Sequence, residues 1–221
     1  MAEINVMGLE DIEVENTSVE DIDSETVNLI FVAVDGSGSM DQYVRDMCDS
    51  LIEFKAALAD SKECDEILLA RADFAADINV GGYKPIVDFT TNYNASGMTA
   101  LYDVVVDGEQ KLTQYVQFLR NQGMRVKAVF SVFSDGEDTC SHNQLHQAKQ
   151  AISTLNSDEV VTAFISFGGG ATSVAKSLGF QNVLDVGGSA SELRRAFNCL
   201  SKSVIENSQS VVQKTSDFFD V

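Results

Sequence analysis

Basic side chains are scarce in this chain. Its 221 residues hold 15 Lys and Arg against 34 Asp and Glu, for a formal net charge of −19. Such an excess works against non-specific binding to nucleic acid or to anionic membrane surfaces, since both are polyanions. Long apolar runs are missing too. No stretch approaches the roughly 18–20 residues that span a bilayer, and the start, Met-Ala-Glu-Ile-Asn, lacks the basic, then apolar pattern of a secretory signal. The expectation is a cytoplasmic protein with neither a membrane nor a nucleic acid as partner. The four cysteines (Cys48, Cys64, Cys140, Cys199) show no C-x-x-C spacing. That pattern disfavours a disulfide framework or zinc site and suits free, mostly buried thiols. The two histidines, His142 and His146, are expected at i, i+4 on a helix, without the H-E-x-x-H pattern, and they read as surface residues. Proline occurs once, at Pro85.

What is present is an apolar fraction of 44%, enough for a sizeable core and too much for global disorder. The acid is unevenly spread. Residues 1–26 carry nine acidic side chains and no Lys or Arg, whereas the remaining 195 residues hold 25 acids and 15 bases. A short acidic stretch without aromatics buries too little to offset its ordering entropy. Residues 1–26 are therefore expected to be a flexible tail, although Ile12 and Val14 alternate with acids as in an edge strand. Residues 27–221 form the expected folded domain.

From Val27 on, β-branched and aromatic runs alternate with amphipathic stretches. Val27–Val34, Ile67–Phe74, Val126–Phe133, Val160–Phe167 and Asn182–Val186 read as strands. Helical spacing joins Met47, Leu51, Phe54 and Leu58; Leu101, Val104, Gly108, Leu112, Tyr115 and Leu119; and Leu145, Ala148, Ile152 and Leu155. Val80–Phe89 suggests a short hairpin with Pro85 on an edge. Gly168-Gly169-Gly170 turns the chain into a short helix, without the Gly-Lys-Ser/Thr of a phosphate-binding loop. Ser189-Ala-Ser-Glu192 is a capping-box pattern, opening a long helix through Leu193, Phe197, Leu200, Val204 and Val211. This alternation predicts an α/β fold: a three-layer, doubly wound, Rossmann-like sandwich around a mostly parallel sheet. Ligands of such folds bind beyond the carboxyl ends of the strands.

Those ends carry oxygen. Asp35-Gly36-Ser37-Gly38-Ser39 follows the first strand, and Ser134-Asp135-Gly136-Glu137-Asp138 follows the third. Between them lies Ser96-Gly97-Met98-Thr99-Ala100-Leu101-Tyr102-Asp103, at a helix start. The glycines at 36 and 38 allow a tight turn that aims alternate hydroxyls at one point. An all-oxygen set of two carboxylates and three hydroxyls selects a hard cation, Mg²⁺ first and Mn²⁺ or Ca²⁺ after it. Neutral hydroxyl ligands leave such a metal seeking an anionic oxygen from outside. Glu137 and Asp138 read as a solvated rim, with a second cation site as the alternative.

Asp35-x-Ser37-x-Ser39, Thr99 in Gly-x-Thr-x-Leu-Tyr-Asp, and Asp135 in Ser-Asp-Gly together resemble the von Willebrand factor type A (vWA) domain. The likeness covers roughly residues 27–200. Met98 and Ser134 depart from residues common in that family, glycine and threonine, without removing a ligand. The resemblance implies a metal-ion-dependent adhesion site (MIDAS) and a sheet with one antiparallel edge strand. Ser37, Ser39 and Thr99 would hold Mg²⁺ directly or through water, and Asp35 and Asp135 would act mostly through bound waters. A partner's Asp or Glu would fill the sixth position. It implies a non-catalytic protein-binding module, an intracellular adaptor for a partner such as an AAA+ ATPase or a stress-response assembly. Two other readings stay open. The chain could be a structural or self-assembling protein, monomeric or weakly associated, whose acidic tail occupies its own or a neighbour's site. A metal-dependent hydrolase would need a general base, and none is visible in sequence.

Overall fold

The computed structural model describes residues 25–61, 66–136, 138–210, 213 and 215–220. The expected tail thus lies outside the described residues up to residue 24, as do Cys64, Glu137 and Val211.

The strands are β1 (Thr26–Asp35), β2 (Glu66–Phe74), β3 (Ile78–Val80), β4 (Lys84–Pro85), β5 (Arg125–Ser134), β6 (Val161–Phe167) and β7 (Asn182–Val186). The helices are α1 (Val44–Ala59), α2 (Leu101–Asn121), α3 (Leu145–Ser157), α4 (Thr172–Leu178) and α5 (Ala190–Gln209). The sheet runs β3-β2-β1-β5-β6-β7, with β4 also on β2. The pairs β1–β2, β1–β5, β5–β6 and β6–β7 are parallel. This is the predicted α/β sandwich with a mostly parallel sheet.

The unbroken apolar run of β1 has a direct cause. Leu29, Phe31 and Ala33 face a core built with α2, α3 and α4. Ile30, Val32 and Val34 face a second core built with α1 and α5. Side chains alternate across a strand, so a central strand covered on both faces is apolar at every position. Gly108 in mid-helix costs about 1 kcal/mol relative to alanine in helix propensity. Its place is filled by neighbours, because a Cβ there would lie 2.6 Å from the Phe31 ring and 2.8 Å from Phe130. Those two rings stack at 5.2 Å.

Three expectations need correction. Residues 80–89 do not pair as a hairpin. β3 and β4 lie successively along the same edge of β2, both antiparallel to it. The Gly81 N–H bonds to Arg71 O (2.8 Å), keeping the chain on that edge between them. Pro85 is on an edge as expected, where its missing N–H costs no ladder bond. His142 is not one turn from His146 on a helix, since α3 begins only at Leu145. Third, Cys48, Cys140 and Cys199 are free but half-buried rather than buried.

The C-terminal helix ends at Gln209, with Ser210 already extended. Lys127 Nζ donates to the last carbonyls of α5, at Asn207 (3.4 Å) and Ser208, and to Ser210 O (2.7 Å). A cation there satisfies orphan carbonyls and the helix dipole together. The chain then returns along the foot of the sheet. Gln213 exchanges two hydrogen bonds with the Ala128 backbone, and Asn182 bonds Thr215 O and Phe218 N.

Candidate metal centre

Register decides which loops meet. Asp35 pairs with Phe74 and Val34 with Phe133, so β1, β2 and β5 end level, and Asp35 lies beside Ser134. α1 covers one face and α2 the other, and strand order reverses around β1. The segments after β1 and β5 therefore emerge together at a switch point, where such sheets bind ligands.

Asp35 is fully buried. Its Oδ1 accepts from Ser37 N–H (2.9 Å), and its Oδ2 accepts from Ser134 Oγ (2.5 Å). Burial pushes its pKa up, the bonds from Ser134 and Ser37 pull it down, and the neighbouring Asp135 pushes it up again; the net direction is upward. Ser37 is buried and Ser39 exposed, with their hydroxyl oxygens 3.0 Å apart. Asp135 is half-buried and, with Ser39, lines one cleft. Thr99 is 5% exposed on a segment tied to the first loop by Gly38 N–H to Gly97 O (3.0 Å) and Ser96 N–H to Gly36 O (2.7 Å). Its backbone is clamped by Thr139, through Thr99 N–H to Thr139 Oγ1 and Thr139 N–H to Thr99 O, both 2.8 Å. Gly36 and Gly38 are needed for space rather than for a left-handed turn. A Cβ on either would sit 3.2–3.3 Å from the carbonyl of Asn94 or Gly97.

The donors suit a hard cation. Among the described residues no cluster of three or more His, Cys, Asp or Glu could hold a metal, so an ion here depends on hydroxyls. Adjacent ligands of Mg²⁺, at about 2.0–2.1 Å from the ion, stand roughly 2.9–3.0 Å apart in an octahedron, which the Ser37–Ser39 separation of 3.0 Å meets. A divalent ion would also offset the unfavourable proximity of Asp35 and Asp135.

Three residues that hold this arrangement carried no clear sequence signal. Ser134 links Asp35 to the Gly136 N–H (3.0 Å), a role that its position beside Asp135 does not announce. Tyr93 donates its hydroxyl to Asp35 O. Arg71 anchors the segment that carries Tyr93: Nη1 donates to Thr90 O (2.9 Å), and the guanidinium lies 5.9 and 6.0 Å from the Phe89 and Tyr93 ring centres. Its remaining donors grip Asp73 at 3.0 and 2.6 Å.

Asp138 is not a bare rim residue. Helix α2 has Ala100 at its N-cap, with no capping side chain. Asp138 Oδ1 accepts from Tyr102 N–H (3.2 Å) and Ser141 Oγ accepts from Asp103 N–H (3.1 Å), so the 138–141 loop supplies the cap. In return the Asp103 carboxylate accepts from His142 N–H (2.8 Å) and from Asn143 N–H and Nδ2 (2.7 and 2.8 Å). Exposed His142 thus serves here through its backbone, with Nδ1 3.2 Å from Asp103. Burial pushes the Asp103 pKa up, but the bonds from Asn143 and His142 outweigh it, and the net direction is downward. A carboxyl with a folded pKa below its unfolded value stabilises above that value, and loses the contribution as pH falls through the folded one. Asp103→Asn is therefore expected to cost about 1–3 kcal/mol at pH 7 and less at pH 3, below the unfolded value of ~3.9, the rest being lost as pH falls through the folded value. Urea unfolding at both pH values measures this; a cost equal at pH 7 and pH 3 counts against it.

No protein-family model and no curated protein matches this sequence. Solved structures do resemble it. The pilus adhesin SpaC from Lactobacillus rhamnosus GG aligns with a TM-score of 0.65 and 11% identity, over 84% of this chain and 31% of the adhesin. A von Willebrand factor type A protein from Catenulispora acidiphila aligns at 0.58 and 14%, over 81% of this chain and 43% of its own. Proximal thread matrix protein 1 from the mussel byssus, with a zinc-occupied MIDAS motif, aligns at 0.57 and 19%, over 81% and 46%. This chain spans a third to a half of each. At these identities the likeness establishes the fold, and the fold is that of vWA domains.

Proposed function

We propose that this chain is a divalent-cation-dependent protein-interaction module. Asp35, Ser37, Ser39, Thr99 and Asp135 hold Mg²⁺, or Mn²⁺ or Ca²⁺ in its place, and a partner's Asp or Glu completes the coordination. The observation that carries the reading is the buried Asp35 carboxylate, hydrogen-bonded to Ser37 and Ser134 beside two hydroxyls 3.0 Å apart. Three hydroxyl ligands add no negative charge, so the ion keeps a strong preference for an anionic oxygen. An incoming carboxylate displaces water and gains a charge-assisted bond in a partly desolvated cleft. Among the described residues no histidine, lysine or cysteine hydrogen-bonds Ser37 or Ser39. These serines therefore suit binding better than nucleophilic attack. The occupied MIDAS of the thread matrix protein supports a divalent ion at the corresponding place. The cellular role we assign is an adaptor, with an AAA+ ATPase or a stress-response assembly as partner by resemblance to intracellular family members.

Titration with Mn²⁺ or Mg²⁺ tests the metal. A ligand specific to the native state adds about 2.7 kcal/mol at 100 times its Kd, which for a domain of this size raises Tm by roughly 5–10 °C. The rise is expected to saturate, to reverse with EDTA, and to vanish in Asp35→Asn and in Ser37→Ala combined with Thr99→Ala. A Tm insensitive to millimolar metal would falsify the reading.

The nine acidic side chains of residues 1–26 favour a second reading, in which they supply the carboxylate in cis or from another copy. Deleting residues 1–26 then removes Mg²⁺-dependent self-association or raises affinity for an external acidic peptide. Unchanged mass and affinity argue against it.

A further inference from the structure

Beside the candidate centre lies a cleft of about 270 Å³, with Ser39 and Asp135 in its wall. Anything seated in it adjoins whatever is bound at the centre. Its floor is apolar: Met40 and Phe167 line it and are 1% and 2% exposed. Tyr43, also in the lining, packs its ring edge-on to Phe167 at 4.8 Å. The Tyr43 hydroxyl donates to Gly188 O (2.9 Å), so that donor is already committed, and exposed Gln42 is the remaining polar side chain of the lining besides Ser39 and Asp135. Gly168, Gly170 and Gly188 complete the wall with backbone alone. A Cβ on Gly188 would point at Gly168 Cα (3.4 Å) and the Tyr43 hydroxyl (3.5 Å), so any side chain at 188 narrows the cleft.

We infer that this cleft receives an apolar side chain next to the partner's metal-seeking carboxylate, so that the recognition unit is an acidic residue with a Leu, Met or Phe one or two positions away. The inference rests on the metal-dependent reading above. The room suits one large side chain. A Lys or Arg there would face a divalent cation, and an Asp or Glu would lose hydration over Met40 and Phe167 beside the Asp135 carboxylate. An apolar side chain loses little and leaves water. The metal supplies the bond common to every acidic partner, and the cleft supplies the choice among them.

Synthetic peptides provide the test. The set is Gly-Glu-Leu-Gly, Gly-Leu-Glu-Gly, Gly-Glu-Gly-Leu, Gly-Glu-Gly-Gly, Gly-Glu-Lys-Gly and Gly-Gln-Leu-Gly, each titrated into the full chain with Mn²⁺ and with EDTA. At least one Leu-bearing Glu peptide is expected to bind in Mn²⁺ on the order of tenfold more tightly than Gly-Glu-Gly-Gly, the ratio expected for burying one Leu side chain. Gly188→Leu is expected to bring that ratio near one, with Mn²⁺ uptake on the same sample reporting an intact fold. Gly170→Val serves as the second variant, since a Cβ there meets only Asp135 O at 3.5 Å. Equal affinity for Leu, Gly and Lys neighbours in a chain that takes up Mn²⁺ overturns the inference alone. No Mn²⁺ uptake, no Glu peptide bound at millimolar concentration, or Gly-Gln-Leu-Gly binding as well as its Glu counterpart, overturns the metal-dependent reading beneath it.

Discussion

Gly136→Ala is expected to lower stability by about 2–5 kcal/mol and to abolish metal-dependent stabilisation. Two independent costs meet at this residue. Its φ is +92°, a conformation that costs a residue with a Cβ about 1–2 kcal/mol. A Cβ there would also lie 2.2 Å from Ala171 Cβ and 2.6 Å from Ala171 Cα, and overpacking of that kind typically costs about 1–3 kcal/mol. The second contact is with backbone, so no rotamer change relieves it. One of the two main chains must move. Gly136 N–H bonds Ser134 Oγ, which bonds Asp35, so a shift at 136 reaches the carboxylate through two hydrogen bonds. Urea unfolding of Gly136→Ala beside the double variant Gly136→Ala/Ala171→Gly separates the costs. The double variant should recover about 1 kcal/mol, the lower end of the overpacking range. A loss under 1 kcal/mol in the single variant refutes the account.

The second large effect is expected at Arg71. Arg71→Met is predicted to cost about 2–4 kcal/mol and to weaken metal binding, although Arg71 touches no candidate ligand. The side chain is 6% exposed, and it holds Asp73 with two charge-assisted bonds and the 89–93 segment with a third. Bonds to charged groups contribute about 1.5–3 kcal/mol each before compensation. Asp73 is 41% exposed and can rehydrate, which keeps the net loss below the sum. Methionine retains the stem and its packing, so the difference reports the guanidinium. Arg71→Lys should recover less than half, because an ammonium cannot present the planar fork that grips Asp73 and Thr90 together. The paired readout is Mn²⁺ affinity. Freed from Thr90, Tyr93 should hold Asp35 O less firmly, and the apparent Kd should rise severalfold. An unchanged Kd in a destabilised variant would confine Arg71 to a stability role.

The elements legible in sequence were those whose composition is set by burial. β1 and β5 read as strands because both faces are covered, and the helices read from their apolar spacing. The loops that carry Asp35, Ser37, Ser39, Thr99 and Asp135 were legible because each follows a strand or leads into a helix in a recognisable pattern. The residues that support the set were not. Arg71 sits inside β2, where a charged side chain reads as an interruption, and only its partners at 73 and 90 show its use. Asp138 looked solvated because the helix it caps begins 37 positions earlier, and capping patterns are read locally. Residues 80–89 misled because a strand, two glycines and a proline spell a hairpin, while the long open edge of β2 offered both pieces a better partner. The return of the chain through Gln213 and Phe218 depends on Ala128 and Asn182, and no local pattern announces it.

The position of β1 between β2 and β5 has a consequence for how the site comes into being. The Asp35–Ser134 bond joins residues 99 positions apart. Asp35 and its serines belong to the first strand–loop unit, while the oxygens of Ser134 and Asp135 arrive only when β5 inserts beside β1, on the side away from β2. Contacts of such high order close late, because the loop entropy is spent before they form. On the reading proposed above, a divalent ion would find an incomplete chelate on any partly folded chain and a complete one only on the finished sheet. Binding competence would then report completed folding, and a partner that required the metal would not capture unfinished molecules of this protein.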